Sequence, residues 1–107
     1  MRKSFVIIMV TCASRKTAQK IADRLLAKRL VACANIISGV ESKFWWKGRV
    51  DKAKEFLILI KAKRKNFSRV EKTISRLHSY EVPEIIAIPI AAGSKRYLKW
   101  IWKETDR

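Results

Sequence analysis

The sequence predicts a small α+β domain whose strands and helices follow the order β-α-β-β-α-β. Two uninterrupted apolar runs, residues 5–10 and 56–60, are each followed by an amphipathic stretch at helical spacing. A proline-containing segment, residues 78–90, ends the second helix and begins a strand. The chain has 107 residues, which is enough for a single domain, 1–107, and too few for two.

The first half of the chain contains two strands, a helix and a hairpin tip. Residues 5–10 are apolar throughout, which is typical of a strand that is buried on both faces. Ser14 is placed to cap the helix that follows, and the apolar residues of that helix form one stripe. Residues 31–37 are predicted to form the second strand, which ends at Ser38, and residues 47–48 are predicted to form the tip of a hairpin.

The second half repeats the pattern. Residues 56–60 form a third apolar strand, and Asn66 is placed to cap the second helix. Pro83 forces the residue before it into an extended conformation, so the helix must end earlier. Residues 84–90 form the fourth main strand, and Pro89 confines that strand to a sheet edge or a bulge because proline lacks a backbone N–H.

This order is the ferredoxin-like arrangement, here with a hairpin insertion and a C-terminal helix that Ser94 caps. Strands one and three would lie at the centre of the sheet and strand four at its edge. Two helices cover only one face of such a sheet, yet the central strands are apolar at every position. An exposed apolar face of that size predicts an oligomer of identical chains. The alternative is that the C-terminal helix covers this face alone.

Composition narrows the functional classes. The chain has 25 Lys and Arg against 9 Asp and Glu, a net charge of +16, which favours non-specific association with nucleic acid or acidic surfaces. Two cysteines are too few for a disulfide framework, so we predict a reducing, cytoplasmic setting. The apolar run at residues 5–10 is too short to span a membrane, and the small residues of a signal-peptide cleavage site do not follow it.

Six segments, spread in order over nearly the whole chain, resemble the divalent-cation tolerance family, CutA. They are residues 10–12, 32–39, 44–49, 60–61, 78–85 and 97–100. The resemblance implies a ferredoxin-like homotrimer in the cytoplasm, similar in plan to the PII signal-transduction proteins. It also implies a role in tolerance to copper and other divalent metals, with no established catalytic activity. Finally, it implies a cleft between subunits, for which we predict the following lining residues: Trp46, Lys61, His78, Tyr80 and Glu84.

Metal binding is predicted to be weak, for copper or another divalent ion, with His78 and Cys12 as ligands. Copper-binding members of the family are thought to use a cysteine where this chain has Val10, and Cys12 follows two residues later. A lone histidine at the end of a helix is also favoured by the helix dipole. Lone cysteines are often small buried hydrophobes, and we prefer that role for Cys33. Ser79 stands where the family usually has proline, which loosens the loop.

Two other functional hypotheses are an RNA-binding module and an enzyme. A basic RNA-binding module can share this strand order, and the aromatic residues 44–46 beside lysines could stack on single-stranded bases. The alternative for these aromatics is packing into a neighbouring subunit. An RNA-recognition motif would carry its stacking aromatics inside the central strands, which here are aliphatic, so nucleic-acid binding is the weaker reading. The motifs of common enzyme classes, such as a phosphate-binding loop or a nucleophile elbow, are not found, and we expect a protein that is not an enzyme.

Overall fold

The computed structural model describes residues 4–106, and its elements follow the order that the sequence predicts. A short 3₁₀ turn, Arg64–Asn66, precedes the second helix. The elements are β1 (Phe5–Cys12), α1 (Arg15–Ala27), β2 (Cys33–Trp46), β3 (Arg49–Lys63), α2 (Phe67–Leu77), β4 (Ile85–Pro89) and α3 (Lys95–Glu104).

The four strands form one antiparallel sheet in the order β2-β3-β1-β4. The central positions of β1 and β3, and the edge position of β4, are therefore confirmed. Pro89 pairs with Val6 of β1, and within residues 4–106 no strand pairs with the other side of β4. An edge position of this kind accommodates a residue that lacks a backbone N–H.

Helices α1 and α2 cover one face of the sheet. Buried and half-buried residues alternate along β1, because successive side chains point to opposite faces of a strand. The core is built from the buried members of β1 and β3 and from the apolar stripes of the two helices. Its fully buried residues include Ile8, Val10, Ile21, Leu25, Ile58, Ile60, Val70 and Ile74.

The opposite face of the sheet, which we call the open face, is apolar and only partly covered. Met9 lies opposite Leu59 on one side and Ile86 on the other. Met9 and Leu59 are half-buried, while Ile86 and Ile88 are 47% and 46% exposed. The runs in β1 and β3 predicted burial on both faces. Within one chain this holds for a single face, because only one face has two helices packed on it.

Helix α3 covers one end of the open face. Trp102 packs edge-on against Phe5, with ring centroids 6.1 Å apart, and Ile101 is fully buried. The Nζ of Lys63 lies 4.1 Å from the centre of the Trp102 ring and donates hydrogen bonds to the carbonyls of Thr105 and Asp106. These contacts hold the helix where β1 begins and β3 ends, so the rest of the face stays open.

The predicted hairpin is an extension of β2 and β3 rather than a separate insertion. The two strands continue to a two-residue tip at Lys47 and Gly48, which have φ values of 50° and 81°. Positive φ at both central residues is the geometry of a type I′ turn, which matches the twist of the flanking strands. The predicted interruption at Ser38 is a register shift between Ile37 and Val40, with Gly39 at φ 80°.

Two of the three predicted helix caps are confirmed. The Oγ atoms of Ser14 and Ser94 accept hydrogen bonds from the backbone N–H groups of Thr17 and Tyr97, at 3.1 and 3.2 Å. Asn66 occupies the N-cap position of α2 as predicted, but its side chain makes no capping bond to the helix. A 3₁₀ turn ahead of the helix places this residue in the interior instead.

Asn66 instead joins three segments of the chain. It is fully buried, and its Nδ2 donates hydrogen bonds to the carbonyls of Leu30 and Asp106, at 3.1 and 3.5 Å. Its Oδ1 accepts a hydrogen bond of 2.6 Å from Arg69. The α1–β2 loop and the segment after α3 are thus fixed to the start of α2.

Within residues 4–106, every helix falls short of the length and apolarity that a membrane crossing requires.

The substitution Asn66→Asp tests this role of the buried amide. It keeps the shape and the acceptor for Arg69 but removes the donor to the carbonyl of Leu30. We expect the free energy of unfolding to fall by about 1–3 kcal/mol, the cost of leaving a buried polar group unpaired. Urea unfolding measures the change. The control is Gln19→Glu, which adds the same charge at an exposed site, and equal stability of the two variants would contradict the role.

Candidate functional site

A groove of about 630 Å³ lies between the β2–β3 hairpin and the loop that joins α2 to β4. It forms because β2 and β3 extend beyond the end of β1, so that the hairpin projects past the rest of the sheet. The hairpin supplies one wall and the loop the other. The lining residues are Thr11, Phe44, Trp45, Trp46, Asp51, Lys52, Ala53, Glu55, Ser79, Tyr80, Glu81, Val82 and Glu84.

His78 anchors the loop to the end of β1. Its Nδ1 accepts a hydrogen bond of 3.1 Å from the backbone N–H of Tyr80, so its Nε2 must carry the proton of the neutral ring. That Nε2 donates to the carbonyl of Thr11 at 2.7 Å. Both ring nitrogens are therefore engaged within the chain. His78 positions the loop and is not among the residues that line the groove.

A second bond ties the loop to the hairpin. The hydroxyl of Tyr80 donates to Oε2 of Glu55 at 2.7 Å, across the floor of the groove. Burial, the hydrogen bond to Glu55 and the charge of that carboxylate together raise the pKa of the Tyr80 phenol above its usual range. The phenol therefore stays protonated at neutral pH and remains a hydrogen-bond donor.

Cys12 lies at the end of β1 and points into the core beneath the helices. Burial and, to a smaller extent, the charge of Glu55 raise the pKa of the Cys12 thiol to about 11. The group is consequently a protonated thiol at neutral pH, whereas a soft metal is bound by the thiolate.

The structure brings together three of the five residues predicted for the cleft. Trp46, Tyr80 and Glu84 line the groove, and His78 stands behind it. Lys61 lies six residues beyond Glu55 along β3, about 20 Å away at the rise of a strand. Its ammonium group donates instead to the side chain of Asn35. Lys61 is therefore outside the groove of its own chain.

Glu55 is a residue of the groove that the sequence does not predict. This glutamate comes directly before the apolar run of residues 56–60, and a charge at such a junction is usually solvated. In the structure it is 6% exposed. Its partner Tyr80 is 25 residues away in the sequence, and nothing in the spacing indicates that the two side chains meet.

The predicted metal ligands do not form a preassembled metal site. Within residues 4–106, no three His, Cys, Asp or Glu side chains are grouped closely enough to hold a metal ion. His78 has both ring nitrogens in hydrogen bonds, and Cys12 is a buried, protonated thiol. A metal ion would have to displace an existing bond or proton at either residue.

Known proteins match this chain in sequence along nearly its whole length. Residues 6–104 match the family model of the CutA1 divalent ion tolerance protein. The chain is 38% identical over 99 residues to the divalent-cation tolerance protein CutA of Thermus thermophilus, which covers 92% of this chain and 96% of that relative. It is 43% identical over 94 residues to the CutA of Archaeoglobus fulgidus, with 88% and 91% covered.

Solved structures match the fold equally well. The Cut A1 protein of Thermus thermophilus superposes with a TM-score of 0.93 at 37% identity, covering 95% of this chain and 99% of that one. The Archaeoglobus fulgidus structure, described as periplasmic, superposes with a TM-score of 0.92 at 39% identity, with 95% of this chain and 99% of that one covered.

The chloroplastic CutA of Arabidopsis thaliana is a longer relative. It is 35% identical over 100 residues, which are 94% of this chain and 55% of that protein.

The raised pKa of Cys12 predicts how stability depends on pH. An ordinary thiol ionises near pH 9.0, whereas the folded chain keeps this proton until about pH 11. The stabilisation is thus complete below pH 9 and is lost as the pH rises towards 11. Between these values, a chain with Cys12 should lose up to about 1.4 kcal/mol per pH unit more than one without it, the limit for one proton.

Urea unfolding of Cys33→Ala, compared with Cys33→Ala/Cys12→Ala, measures this difference. The two chains share every other ionisable group, so general alkaline effects cancel. Equal protein concentrations are needed if unfolding is coupled to dissociation. A stability difference that is the same at pH 7 and pH 10.5 would contradict the predicted linkage.

Proposed function

Because the chain belongs to the CutA1 divalent ion tolerance protein family, we propose that it acts in cellular tolerance to divalent cations, copper included. It does so as a cytoplasmic homotrimer that binds and responds to a ligand and does not catalyse a reaction. The observation that carries the proposal is the family match over residues 6–104. The open face and the groove supply the physical basis.

The open face supports self-association. Its central residues, such as Met9 and Leu59, are half-buried, and Ile86 and Ile88 at the edge strand are nearly half exposed. Removing apolar surface from water contributes roughly 25 cal/mol per Å². A closed ring of three identical chains covers such a face on every copy, as closed symmetry requires.

In this assembly the groove becomes a cleft at the border between chains. Trp45, on its outer wall, is 75% exposed in the isolated chain, which is the exposure expected of an aromatic residue that a neighbour covers. Lys61 reaches the cleft only if it comes from a neighbouring chain, because its own groove is too distant. Trp46, Tyr80 and Glu84 belong to the cleft from within the chain.

The cytoplasm is our proposal for this chain on the basis of its two free cysteines. Two relatives have names that specify other compartments: the Arabidopsis protein is named chloroplastic and the Archaeoglobus structure is described as periplasmic.

Binding of RNA is not part of the proposal. The aromatic residues 44–46 line a groove that also contains the carboxylates of Asp51, Glu55, Glu81 and Glu84. Carboxylates at this density repel a phosphate backbone, whereas single-stranded nucleic-acid sites combine aromatics with cations.

The substitution Ile86→Lys tests the assembly. It places a cation on the open face of every copy, at a side chain that the isolated chain leaves half exposed, so the fold tolerates it. We expect the mass from light scattering to fall from that of three 12.4-kDa chains to that of one. The control is Leu26→Lys, at an exposed leucine on α1. A wild-type chain that is monomeric at micromolar concentration would overturn the trimer.

Calorimetric titration with copper(II) tests the metal part. We propose weak binding through Nδ1 of His78, which must first leave the N–H of Tyr80. His78→Gln keeps a donor for the carbonyl of Thr11 but removes the imidazole, and we expect it to abolish the binding. Cys12→Ala should leave the binding unchanged, because that thiol keeps its proton. An unchanged curve for His78→Gln excludes His78 as a ligand.

A further inference from the structure

The groove is acidic in a strongly basic protein. Among the described residues 4–106, its lining includes four acidic side chains, out of nine in the chain, but a single lysine or arginine, Lys52. The acidic residues are Asp51, Glu55, Glu81 and Glu84. The described lining residues therefore have a formal charge of −3 on a chain of +16, which favours a cation over an anion at this position.

The walls of the groove are aromatic. Phe44, Trp45 and Trp46 come from the hairpin, and Tyr80 comes from the facing loop. The faces of aromatic rings attract organic cations, and Trp is the most effective ring. Nζ of Lys47 lies 6.0 Å from the centre of the Trp46 ring, which is the outer limit of a cation–π interaction. The combination of rings and carboxylates selects a cation that also has apolar surface.

Glu55 is a buried carboxylate without a cationic partner. It is 6% exposed, and one of its oxygens accepts a hydrogen bond from the hydroxyl of Tyr80. Within the described part of the chain no lysine or arginine lies within 4 Å of it. Every fully buried side-chain oxygen there has a hydrogen-bond partner, so the second oxygen of Glu55 keeps some contact with solvent, and Glu55 itself lines the groove. Burying an unpaired charge is costly, and an incoming cation removes that cost.

We infer that the groove binds an aliphatic polyamine. The ammonium groups pair with Glu55 and the carboxylates of the loop, and the methylene segments lie against the rings of Trp46 and Tyr80. The four carboxylates of the lining complement an amine with several positive charges, such as spermidine. A bare divalent metal ion fits less well, because no three possible ligands are grouped within residues 4–106. The inference rests on the proposed ligand cleft and names its ligand class.

Titration of the full-length protein with spermidine tests the inference by calorimetry and tryptophan fluorescence. We expect saturable binding with a change in fluorescence, since Trp45 and Trp46 line the groove. Glu55→Gln keeps an acceptor for Tyr80 but removes the charge, and it should weaken binding at least about tenfold, or about 1.4 kcal/mol. Trp46→Ala should weaken it about fivefold.

The matched control is Glu71→Gln, which removes the same charge at an exposed site on α2. If spermidine affinity falls equally in Glu55→Gln and Glu71→Gln, the inference is overturned, because spermidine is then attracted by the charge of the protein as a whole and not by the groove. Complete displacement of spermidine by magnesium chloride at equal ionic strength also overturns it. So does binding to the Ile86→Lys monomer but not to the wild-type trimer, because a second copy of the chain then fills the groove.

Light scattering and the copper titration, run on the same samples, separate this inference from the proposed function. A trimer that binds copper but not spermidine overturns only the ligand class. A monomeric wild-type chain that binds spermidine, with the expected loss in Glu55→Gln, supports the ligand class and overturns only the assembly.

Discussion

The structure depends on an imbalance between a sheet that is apolar on both faces and helices that cover only one of them. Strands β1 and β3 place Ile8, Val10, Ile58 and Ile60 beneath α1 and α2, where they are fully buried. The alternate side chains of the two apolar runs, such as Ile7, Met9, Leu57 and Leu59, are also apolar, and α3 covers only the end of that face near Phe5. Hydrophobic surface of this extent is costly to leave in water. A single chain thus buries one face of its sheet in a complete core, whereas most of the other face remains uncovered.

The groove follows from a second asymmetry, in strand length. β2 and β3 have 14 and 15 residues, whereas β1 and β4 have 8 and 5. The two longer strands stand beyond the others as a twisted ribbon, and the α2–β4 loop returns beside it. The hydrogen bonds from His78 to Thr11 and from Tyr80 to Glu55 fix the loop at a set distance from the ribbon. The walls of the groove are therefore positioned by backbone and side-chain contacts that the chain makes by itself.

Charge is distributed unevenly over these parts. The exposed side of α1 carries Lys16, Lys20 and Arg24 one turn apart, and like charges at that spacing destabilise a helix by roughly 0.2–0.5 kcal/mol per pair. Packing of its apolar stripe must therefore hold that helix. Four of the nine acidic residues, by contrast, line the groove, so the net charge of the whole chain does not describe the charge of the site. The net charge of +16 favours contact with nucleic acid at the outer surface and not in the groove.

The sequence by itself determined the element order, the central and edge positions of the strands, the turn at Gly48 and the serine caps. Each of these follows from short-range rules, such as apolar periodicity, proline geometry and the hydrogen bonds of one helical turn. The tertiary structure alone decided that Asn66 is a buried link rather than a cap, that Glu55 meets Tyr80, and that Lys61 lies far from the groove. Those contacts join residues distant in the chain, and their geometry is set by how the sheet, the ribbon and the loop pack together. No local pattern in the sequence records that packing.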